Sequence, residues 1–305
     1  MIRSCLPFRC VETSTAHVNG IDLHFHAAGE GPAIVLVHGF PQTSAGWTHQ
    51  IPALAAAGFR VLAPDMRGYG RSTIPDDPAA YDADTIAADL TGLLDHIGER
   101  SAIFVGHDIG ATMVWHLARA NPDRVRAVAA LSVPFAPRPT QPPTAVLRAT
   151  LGPEHYLLLF QEPGIAEKIL TRDVRRTLLT EGNWTRAWAR SGAMPPRPDW
   201  LSEEELAAAV LDFTRTGFSG GLSYYRNFDR NWQLSARFAD QKVLMPALFI
   251  TGTEDIVRTF MPTEPMRIWV PNLQMITLDG AGHFIQQERP EQVNRALIDF
   301  ATRTT

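Results

Sequence analysis

The chain has 305 residues, of which 45% are hydrophobic and 20% are charged, and its formal net charge is −4. This length can bury one large core or two modest ones, and the composition is ordinary for a globular protein. The small acidic excess gives no reason to expect nucleic acid or another polyanion as a partner.

The first ten residues include Arg3, Pro7 and Arg9 and hold no apolar stretch long enough for a secretory signal peptide. The sequence contains no apolar run of about 18 residues, which a transmembrane helix would need. The only two cysteines, Cys5 and Cys10, indicate no disulfide framework. We therefore expect a cytoplasmic protein that is not inserted in a membrane, and no oligomeric state is predicted.

Short apolar runs recur along the chain and are typical of buried strands in a parallel sheet. They occupy residues 34–37, 60–63, 102–105, 128–131, 247–250 and 273–278. Between them, apolar spacing predicts a helix over 86–97 that stops at Gly98, and another after residue 108 that ends before Asn121. Strands that alternate with helices indicate an α/β fold with a mostly parallel central sheet flanked by helices.

A proline-rich segment at 134–143 interrupts this alternation. From there to about residue 241 the pattern is helical and rich in aromatic residues. Within it, a capping box at Ser202 and Glu205 predicts the start of a helix that runs toward Gly217. We therefore expect residues 1–135 and 241–305 to form one α/β core and residues 136–240 to form an inserted helical cap.

An aspartate stands at the centre of the turn Gly-His-Asp-Ile-Gly, residues 106–110, directly after a predicted strand. In the related Gly-x-Ser-x-Gly elbow, a strained turn between strand and helix exposes the central side chain as a nucleophile. Unlike a serine, Asp108 is ionised at neutral pH and needs no base before it attacks. Because a carboxylate suits displacement at an sp3 carbon, the motif predicts an ester of Asp108 that a second step hydrolyses.

Hydrolysis of such an ester requires an activated water, for which a histidine oriented by a carboxylate is the usual base. Asp255 and His283 follow the last two predicted strands, in the order nucleophile, acid, histidine that is typical of this elbow. Open α/β sheets place their sites past the carboxyl ends of strands. Each residue alone is compatible with an ordinary loop position, but the ordered set of three favours a catalytic triad.

The carbonyl oxygen of the ester gathers negative charge during hydrolysis, so backbone donors are expected beside it. We expect the amide of Ile109, directly after the nucleophile, and that of Phe40, in the His-Gly-Phe-Pro turn at 38–41, to form this oxyanion hole. A cis bond before Pro41 would aim the Phe40 amide inward. Three further residues are expected, from their positions alone, to line the substrate pocket: Trp47, Met113 and Phe160.

The chain resembles the epoxide hydrolase family of the α/β hydrolases over nearly its whole length. The resemblance rests on His-Gly-Phe-Pro at 38–41, Asp-Met-Arg-Gly-Tyr-Gly-Arg-Ser at 65–72, Gly-His-Asp-Ile-Gly at 106–110 and Ser-Val-Pro-Phe at 132–135. It implies the α/β-hydrolase fold and a small-molecule epoxide as substrate. The implied reaction converts an epoxide and water into a vicinal diol without a metal or an organic cofactor.

Two segments of the predicted cap resemble family stretches that each carry a ring-opening tyrosine, here Tyr156 and Tyr225. Opening an epoxide creates an alkoxide, which leaves poorly unless it is hydrogen-bonded or protonated as the bond breaks. Two phenols facing Asp108 would hold that oxygen during attack. Tyr156 and Phe160 are four residues apart, which is helical spacing, so Tyr156 is also compatible with a position in the core. The residues alone do not choose between Tyr224 and Tyr225, whereas the resemblance selects Tyr225.

Two other functions stay open. A haloalkane or haloacid dehalogenase on the same fold would use the same triad, so the triad does not discriminate. Haloalkane dehalogenases resemble one another in a tryptophan directly after the nucleophile, where this chain has Ile109, and fluoroacetate dehalogenases carry arginines there, which 109 and 112 lack. A non-catalytic ligand receptor on the hydrolase scaffold is the third function, because a fold alone does not determine activity.

Overall fold

The structure is a computed structural model that describes residues 3–4, 11–182 and 184–305. A nine-stranded sheet forms the centre of the described chain. In chain order the strands are β1 (Arg3–Ser4), β2 (Val11–Val18), β3 (Ile21–Ala28), β4 (Ala33–Val37), β5 (Arg60–Pro64), β6 (Ala102–His107), β7 (Val125–Leu131), β8 (Ala247–Gly252) and β9 (Leu273–Leu278). Their spatial order is β1-β2-β3-β5-β4-β6-β7-β8-β9. Cys5 and Cys10 lie outside the described residues, so the expectation that they form no disulfide framework stays a prediction.

The strands from β4 to β9 pair with one another in parallel, while β1, β2 and β3 pair antiparallel. All residues of β4, β6 and β8 are buried, as expected where helices cover both faces of a parallel sheet. The six predicted apolar runs correspond in order to β4 through β9. The mostly parallel sheet of the α/β prediction is therefore confirmed.

The hairpin of β2 and β3 is absent from the prediction, although the sequence carries its signal. Asn19 and Gly20 connect the two strands with φ values of 46° and 75°, as a two-residue type I′ turn requires. Val18 pairs with Ile21 across this turn. An Asn-Gly pair between apolar segments is a strong hairpin signal, so this strand pair was predictable from local chemistry.

Helices cover the two faces of the sheet and divide the core into two apolar clusters. Residues of β4 alternate between the clusters, with Val35 and Val37 in one and Ile34 and Leu36 in the other. The helices that join or follow the core strands are α1 (Gln50–Ala56), α2 (Ala83–His96), α3 (Ile109–Ala120), α12 (Met266–Trp269), α13 (Ile285–Glu288) and α14 (Pro290–Thr304). Buried side chains of α2 and α3 join the first cluster, and those of α1 and α14 join the second.

Between β7 and β8 the chain is helical, and we call residues 132–246 the helical segment. It contains α4 (Pro143–Leu151), α5 (Tyr156–Leu159), α6 (Ile165–Thr171), α7 (Val174–Leu178), α8 (Arg186–Ser191), α9 (Glu203–Thr216), α10 (Ser219–Arg226) and α11 (Phe228–Leu234). The predicted capping box of Ser202 and Glu205 opens α9, which ends before Gly217. The boundaries 1–135, 136–240 and 241–305 stay a prediction. No helix of the described residues has the length and apolar character to cross a membrane.

Candidate active site

Asp108 occupies the tight turn between β6 and α3, with φ 53° and ψ −124°. A positive φ is strained for a residue other than glycine, and the surrounding turn must hold it in place. Gly106 and Gly110 make the turn possible, because a Cβ atom on Gly106 would lie 2.4 Å from the Gly110 carbonyl oxygen. The turn thus sets the Asp108 carboxylate at the carboxyl edge of the sheet.

The other two residues of the predicted triad meet Asp108 at this edge. The Nε2 atom of His283 lies 3.4 Å from Oδ2 of Asp108, and its Nδ1 atom lies 3.0 Å from Oδ1 of Asp255. The same Asp255 oxygen accepts a hydrogen bond from the Val257 amide at 2.9 Å, which fixes the carboxylate. The arrangement is that of a nucleophile, a base and the acid that orients the base.

Charges within the triad shift the pKa values of two of its members. Burial opposes a charged imidazole, but the charge of Asp255 and hydrogen bonds to both carboxylates outweigh it and raise the pKa of His283 well above its ordinary value. Burial also opposes a charged Asp108, yet the hydrogen bond and charge of His283 hold the pKa of that carboxyl below its ordinary value. The free site therefore holds an ionised Asp108 beside a protonated His283.

The Phe40 amide donates a hydrogen bond to Oδ1 of Asp108 at 2.9 Å. The bond between Phe40 and Pro41 is cis, as predicted. Gly39 permits this close approach, since a Cβ atom there would lie 2.4 Å from the Cβ of Asp108. Ile109 is the first residue of α3, and within the described residues its amide donates no hydrogen bond to the carboxylate.

The two adjacent tyrosines of α10 face different surroundings. The Tyr225 hydroxyl donates a hydrogen bond to Oδ1 of Asp108 at 3.2 Å. The Tyr224 hydroxyl donates instead to the backbone carbonyl of Arg67 at 3.0 Å. Tyr156 is the first residue of α5 and is buried. This burial is the main cause that raises its pKa, and the charge of Asp108 is the second. Burial also raises the pKa of Tyr225, so both side chains are neutral phenols, and the Tyr225 hydroxyl contacts the carboxylate.

Aromatic rings surround Phe40 on the side of the helical segment. Four rings have centroids 5.4 to 6.0 Å from that of Phe40: Phe160, Trp184, Phe218 and Tyr225. Phe160 also contacts Tyr156 at 5.4 Å and Tyr225 at 5.2 Å, so it lies between the two tyrosines. The positions of Trp184 and Phe218 beside the site were not predicted from the sequence, because an aromatic-rich helical region does not indicate which rings face the site.

One of the three expected pocket residues, Trp47, lies elsewhere. Trp47 ends a short 3-10 turn and is fully buried with Ile34 and Leu36, in the cluster on the other face of the sheet from Phe40 and Tyr225. The expectation that Trp47 lines the pocket is therefore wrong, because the turn leads into α1 and carries the ring to that face. Met113, on α3, lines a neighbouring cavity of about 560 Å³.

Residues that sequence reasoning missed hold the loop of His283. Its amide donates to the Glu181 carboxylate of the helical segment at 2.8 Å, and its carbonyl accepts from Ser132 Oγ at 2.7 Å. The same carbonyl lies 2.8 Å from Nε2 of His107. The preceding amide, of Gly282, donates to Glu288 at 2.6 Å. No local motif indicates the contacts of Glu181, Ser132 and His107, because each joins His283 to a position far away in the chain.

The assembled groups suit covalent displacement followed by hydrolysis. A buried carboxylate can attack, neutral phenols can protonate a leaving oxygen, and an imidazole held by a second carboxylate can activate water. Among the described residues, no group of three or more His, Cys, Asp or Glu side chains is arranged to hold a metal ion.

Comparisons with known proteins agree with this geometry. A family profile described as alpha/beta hydrolase fold matches residues 32–290. Epoxide hydrolase A of Mycobacterium tuberculosis is 46% identical over 93% of this chain and 95% of its own length. Epoxide hydrolase 1 of Siraitia grosvenorii is 38% identical over 95% of this chain and 98% of its own.

Solved structures extend the similarity to the whole fold. The crystal structure of epoxide hydrolase A from Mycobacterium thermoresistibile has a TM-score of 0.89 and 45% identity, and the match covers 96% of this chain and 98% of that chain. The crystal structure of the Vigna radiata epoxide hydrolase VrEH1 has a TM-score of 0.90 and 35% identity, with the same shares of the two chains covered. The chain therefore belongs to the epoxide hydrolase family of the α/β hydrolases.

Proposed function

We propose that this epoxide hydrolase converts a small-molecule epoxide and water into a vicinal diol through an ester of Asp108. One observation carries the proposal: the neutral Tyr225 phenol lies 3.2 Å from the nucleophilic carboxylate. Burial raises the pKa of Tyr156, and the charge of Asp108 adds to this rise. A proton donor beside the nucleophile is what epoxide opening needs, because the leaving oxygen stays attached to the substrate as an alkoxide.

In the first step, an oxygen of Asp108 forms a bond to a ring carbon while the carbon–oxygen bond of the epoxide breaks. We assign the attack to Oδ2, because Oδ1 already accepts hydrogen bonds from Phe40 and Tyr225. The epoxide oxygen takes a proton from Tyr156 or Tyr225. The products of this step are an Asp108 ester, a new hydroxyl group and a tyrosinate.

In the second step, His283 acts as the base that activates water. Esterification removes the negative charge of Asp108, which is one of the causes of the raised His283 pKa. The imidazolium then gives up a proton that converts the tyrosinate back to a neutral phenol. The neutral imidazole next takes a proton from the attacking water. Attack on the Asp108 carbonyl is stabilised by the Phe40 amide, which already donates to Oδ1 in the free site. The Ile109 amide makes no such bond in the free site, and we propose that it joins only as the ester oxygen gathers charge before collapse releases the diol.

We further propose that residues 136–240 act as a cap that completes the pocket. Both proposed proton donors and Phe160 come from this part of the chain. The nucleophile and the base come instead from the edge of the sheet. An epoxide held between the two would therefore meet the phenols from one side and the carboxylate from the other, which is the geometry of backside displacement.

The experiment is intact mass spectrometry of His283→Gln protein incubated separately with styrene oxide, cyclohexene oxide and chlorohexane. Without its base the variant should form the ester but hydrolyse it slowly, so that an adduct equal to the whole epoxide accumulates. The double variant Asp108→Asn/His283→Gln should form no adduct, because it lacks the nucleophile. The control variant His17→Gln changes an exposed histidine and should show no lasting adduct, because it keeps His283 to hydrolyse the ester. An adduct equal to the hexyl group without chlorine would indicate dehalogenase chemistry instead, and absence of any adduct would contradict the ester intermediate.

A further inference from the structure

The loop that carries His283 is held by two carboxylates from different parts of the molecule. Glu181, which lies in the helical segment between α7 and α8, accepts the hydrogen bond of the His283 amide at 2.8 Å. Glu288, on α13, accepts that of the preceding Gly282 amide at 2.6 Å. Hydrogen bonds to an ionised acceptor are stronger than those between neutral groups. The base of the proposed triad is therefore tied both to the core and to the helical segment.

The two carboxylates also lie close to each other. A Cβ atom on Gly282 would lie 3.1 Å from Oε1 of Glu288 and 3.4 Å from Oε1 of Glu181. Burial raises the pKa of Glu288, the Gly282 amide opposes that rise, and the charge of Glu181 adds to it. Glu181 thus repels Glu288, and its bond to the His283 amide offsets this repulsion. A neutral acceptor at position 181 would keep the bond without the repulsion.

Two further contacts of the helical segment fall on the loops that carry the base and the acid of the proposed triad. A Cβ atom on Gly182, directly after Glu181, would lie 3.1 Å from the side chain of Ile256, which directly follows the acid. The ring centroid of Trp200 lies 5.7 Å from that of Phe284, which directly follows the base. The helical segment therefore contacts both loops, and the bond of Glu181 is the contact that reaches the base itself.

A buried tryptophan close to Glu181 fixes this part of the helical segment. Trp184 donates a hydrogen bond from Nε1 to the carbonyl of Thr177, in α7, at 3.0 Å. Its ring centroid lies 5.6 Å from that of Tyr156. Dense packing of such rings leaves little freedom for the chain beside them. The position of Glu181 is therefore set by the same packing that places one of the proposed proton donors.

We infer that Glu181 is a positioning residue for the second step of the reaction, because it ties the loop of His283 to the helical segment. This inference rests on the proposed function. Ring opening uses the Asp108 carboxylate and a phenol and needs no base, whereas hydrolysis of the ester needs the imidazole aimed at the attacking water. A loop released from Glu181 lets the imidazole move away from Asp255 and Asp108. Glu181 thus makes hydrolysis of the ester depend on contact between the helical segment and the core.

The test compares Glu181→Gln, which keeps an oxygen acceptor, with Glu181→Met, which has similar size and charge but only a weak thioether acceptor. Ester formation and ester decay are timed separately, by quenched-flow mass spectrometry of enzyme in excess over styrene oxide. In Glu181→Met, decay should slow by about 10-fold and formation should change by less than about two-fold. In Glu181→Gln, both rates should stay within about two-fold of the wild type. Glu162→Met is the control, because Glu162 is an exposed glutamate of the helical segment that pairs with Arg186 instead.

NMR titration of the His283 imidazole tests its position independently of turnover. Against the effect of burial, the charge of Asp255 and hydrogen bonds to both carboxylates raise the pKa of His283, so this pKa should fall in Glu181→Met and not in Glu181→Gln. Equal slowing of both steps, or unchanged decay, in Glu181→Met would overturn the inference and leave the proposed function intact. A lower His283 pKa in Glu181→Met, with no ester formed by any of the proteins, would instead contradict the proposed function and leave the placement of His283 by Glu181 standing.

Discussion

The hydroxyl of Tyr225 donates a hydrogen bond to Oδ1 of Asp108 at 3.2 Å, across 117 positions of sequence. This contact joins α10 of the helical segment to the turn that follows β6. In the free protein the phenol therefore bonds the carboxylate, and the proposed mechanism requires it to turn to the epoxide oxygen once substrate binds. The same donor can thus stabilise the ionised nucleophile first and the developing alkoxide afterwards.

Removal of the two proposed donor hydroxyls should slow ring opening. We expect Tyr156→Phe/Tyr225→Phe to form the ester about 10²-fold more slowly or worse, because general acid catalysis is lost while the rings keep their packing. The rate is measured by quenched-flow mass spectrometry in a His283→Gln background. Tyr224→Phe is the matched control, since its hydroxyl bonds the Arg67 carbonyl. It should lower the free energy of unfolding by about 1 kcal/mol and leave esterification unchanged. Wild-type rates in the double variant would refute the donor role.

Replacement of the nucleophile should stop turnover. Asp108→Asn keeps the shape of the side chain but removes its charge, and kcat should fall by about 10⁴-fold or more. The steady-state rate of diol formation measures this. Asp123→Asn, at an exposed carboxylate on the 3-10 turn after α3, should retain wild-type kcat. Substantial diol formation by protein whose mass proves Asn at position 108 would show that another group attacks.

The pKa of His283 should depend on the charge of Asp108. Asp108→Asn imitates the neutral ester, and we expect it to lower the His283 pKa, because the charge of Asp108 and its hydrogen bond are among the causes of the rise. NMR titration of the imidazole in both proteins measures the shift, with imidazoles remote from Asp108 as internal controls. An unchanged pKa would contradict the proposed release of the proton after esterification.

The same raised pKa makes stability depend on pH. His283 binds its proton more tightly in the folded protein than at the ordinary value of 6.5. Its contribution is therefore fully present below pH 6.5 and is lost as pH rises through the folded pKa, with a slope of at most about 1.4 kcal/mol per pH unit. The free energy of unfolding, measured by urea denaturation at several pH values above 6.5, should fall less steeply with pH in His283→Gln than in the wild type. Equal slopes would argue against a strongly raised pKa.

The space at Gly39 should matter for catalysis. A Cβ atom there would lie 2.4 Å from the Asp108 Cβ and 2.6 Å from the His107 carbonyl oxygen. Gly39→Ala should therefore displace the nucleophile and lower kcat/KM by about 10²-fold. Gly46→Ala is the control, because its new methyl would meet the side-chain amide of Gln42 at 3.0 Å and no atom of the proposed triad. Equal kcat/KM in the two variants would show that the turn tolerates the methyl group.

The proposed triad could be predicted from sequence because each of its members sits in a turn whose chemistry is local. Asp108 is marked by its flanking glycines, and Asp255 and His283 by their places after two apolar strands. Parallel strands bring their carboxyl ends to one edge, so chain order alone predicted the meeting of these residues. The Asn19-Gly20 hairpin was equally local and was overlooked.

The sequence by itself determined the parallel sheet, the elbow and the order of the triad, since short-range patterns of apolar residues and glycines specify them. Only the tertiary structure decided that Trp47 faces the other cluster and that Glu181 holds the loop of His283. The family resemblance had selected Tyr225 over Tyr224, but only the structure shows that Tyr225 contacts Asp108 while Tyr224 does not. Adjacent side chains on a helix differ in direction by about 100°. Which of them faces the nucleophile depends on how the helical segment packs on the sheet, and that packing is set by contacts between residues far apart in the chain.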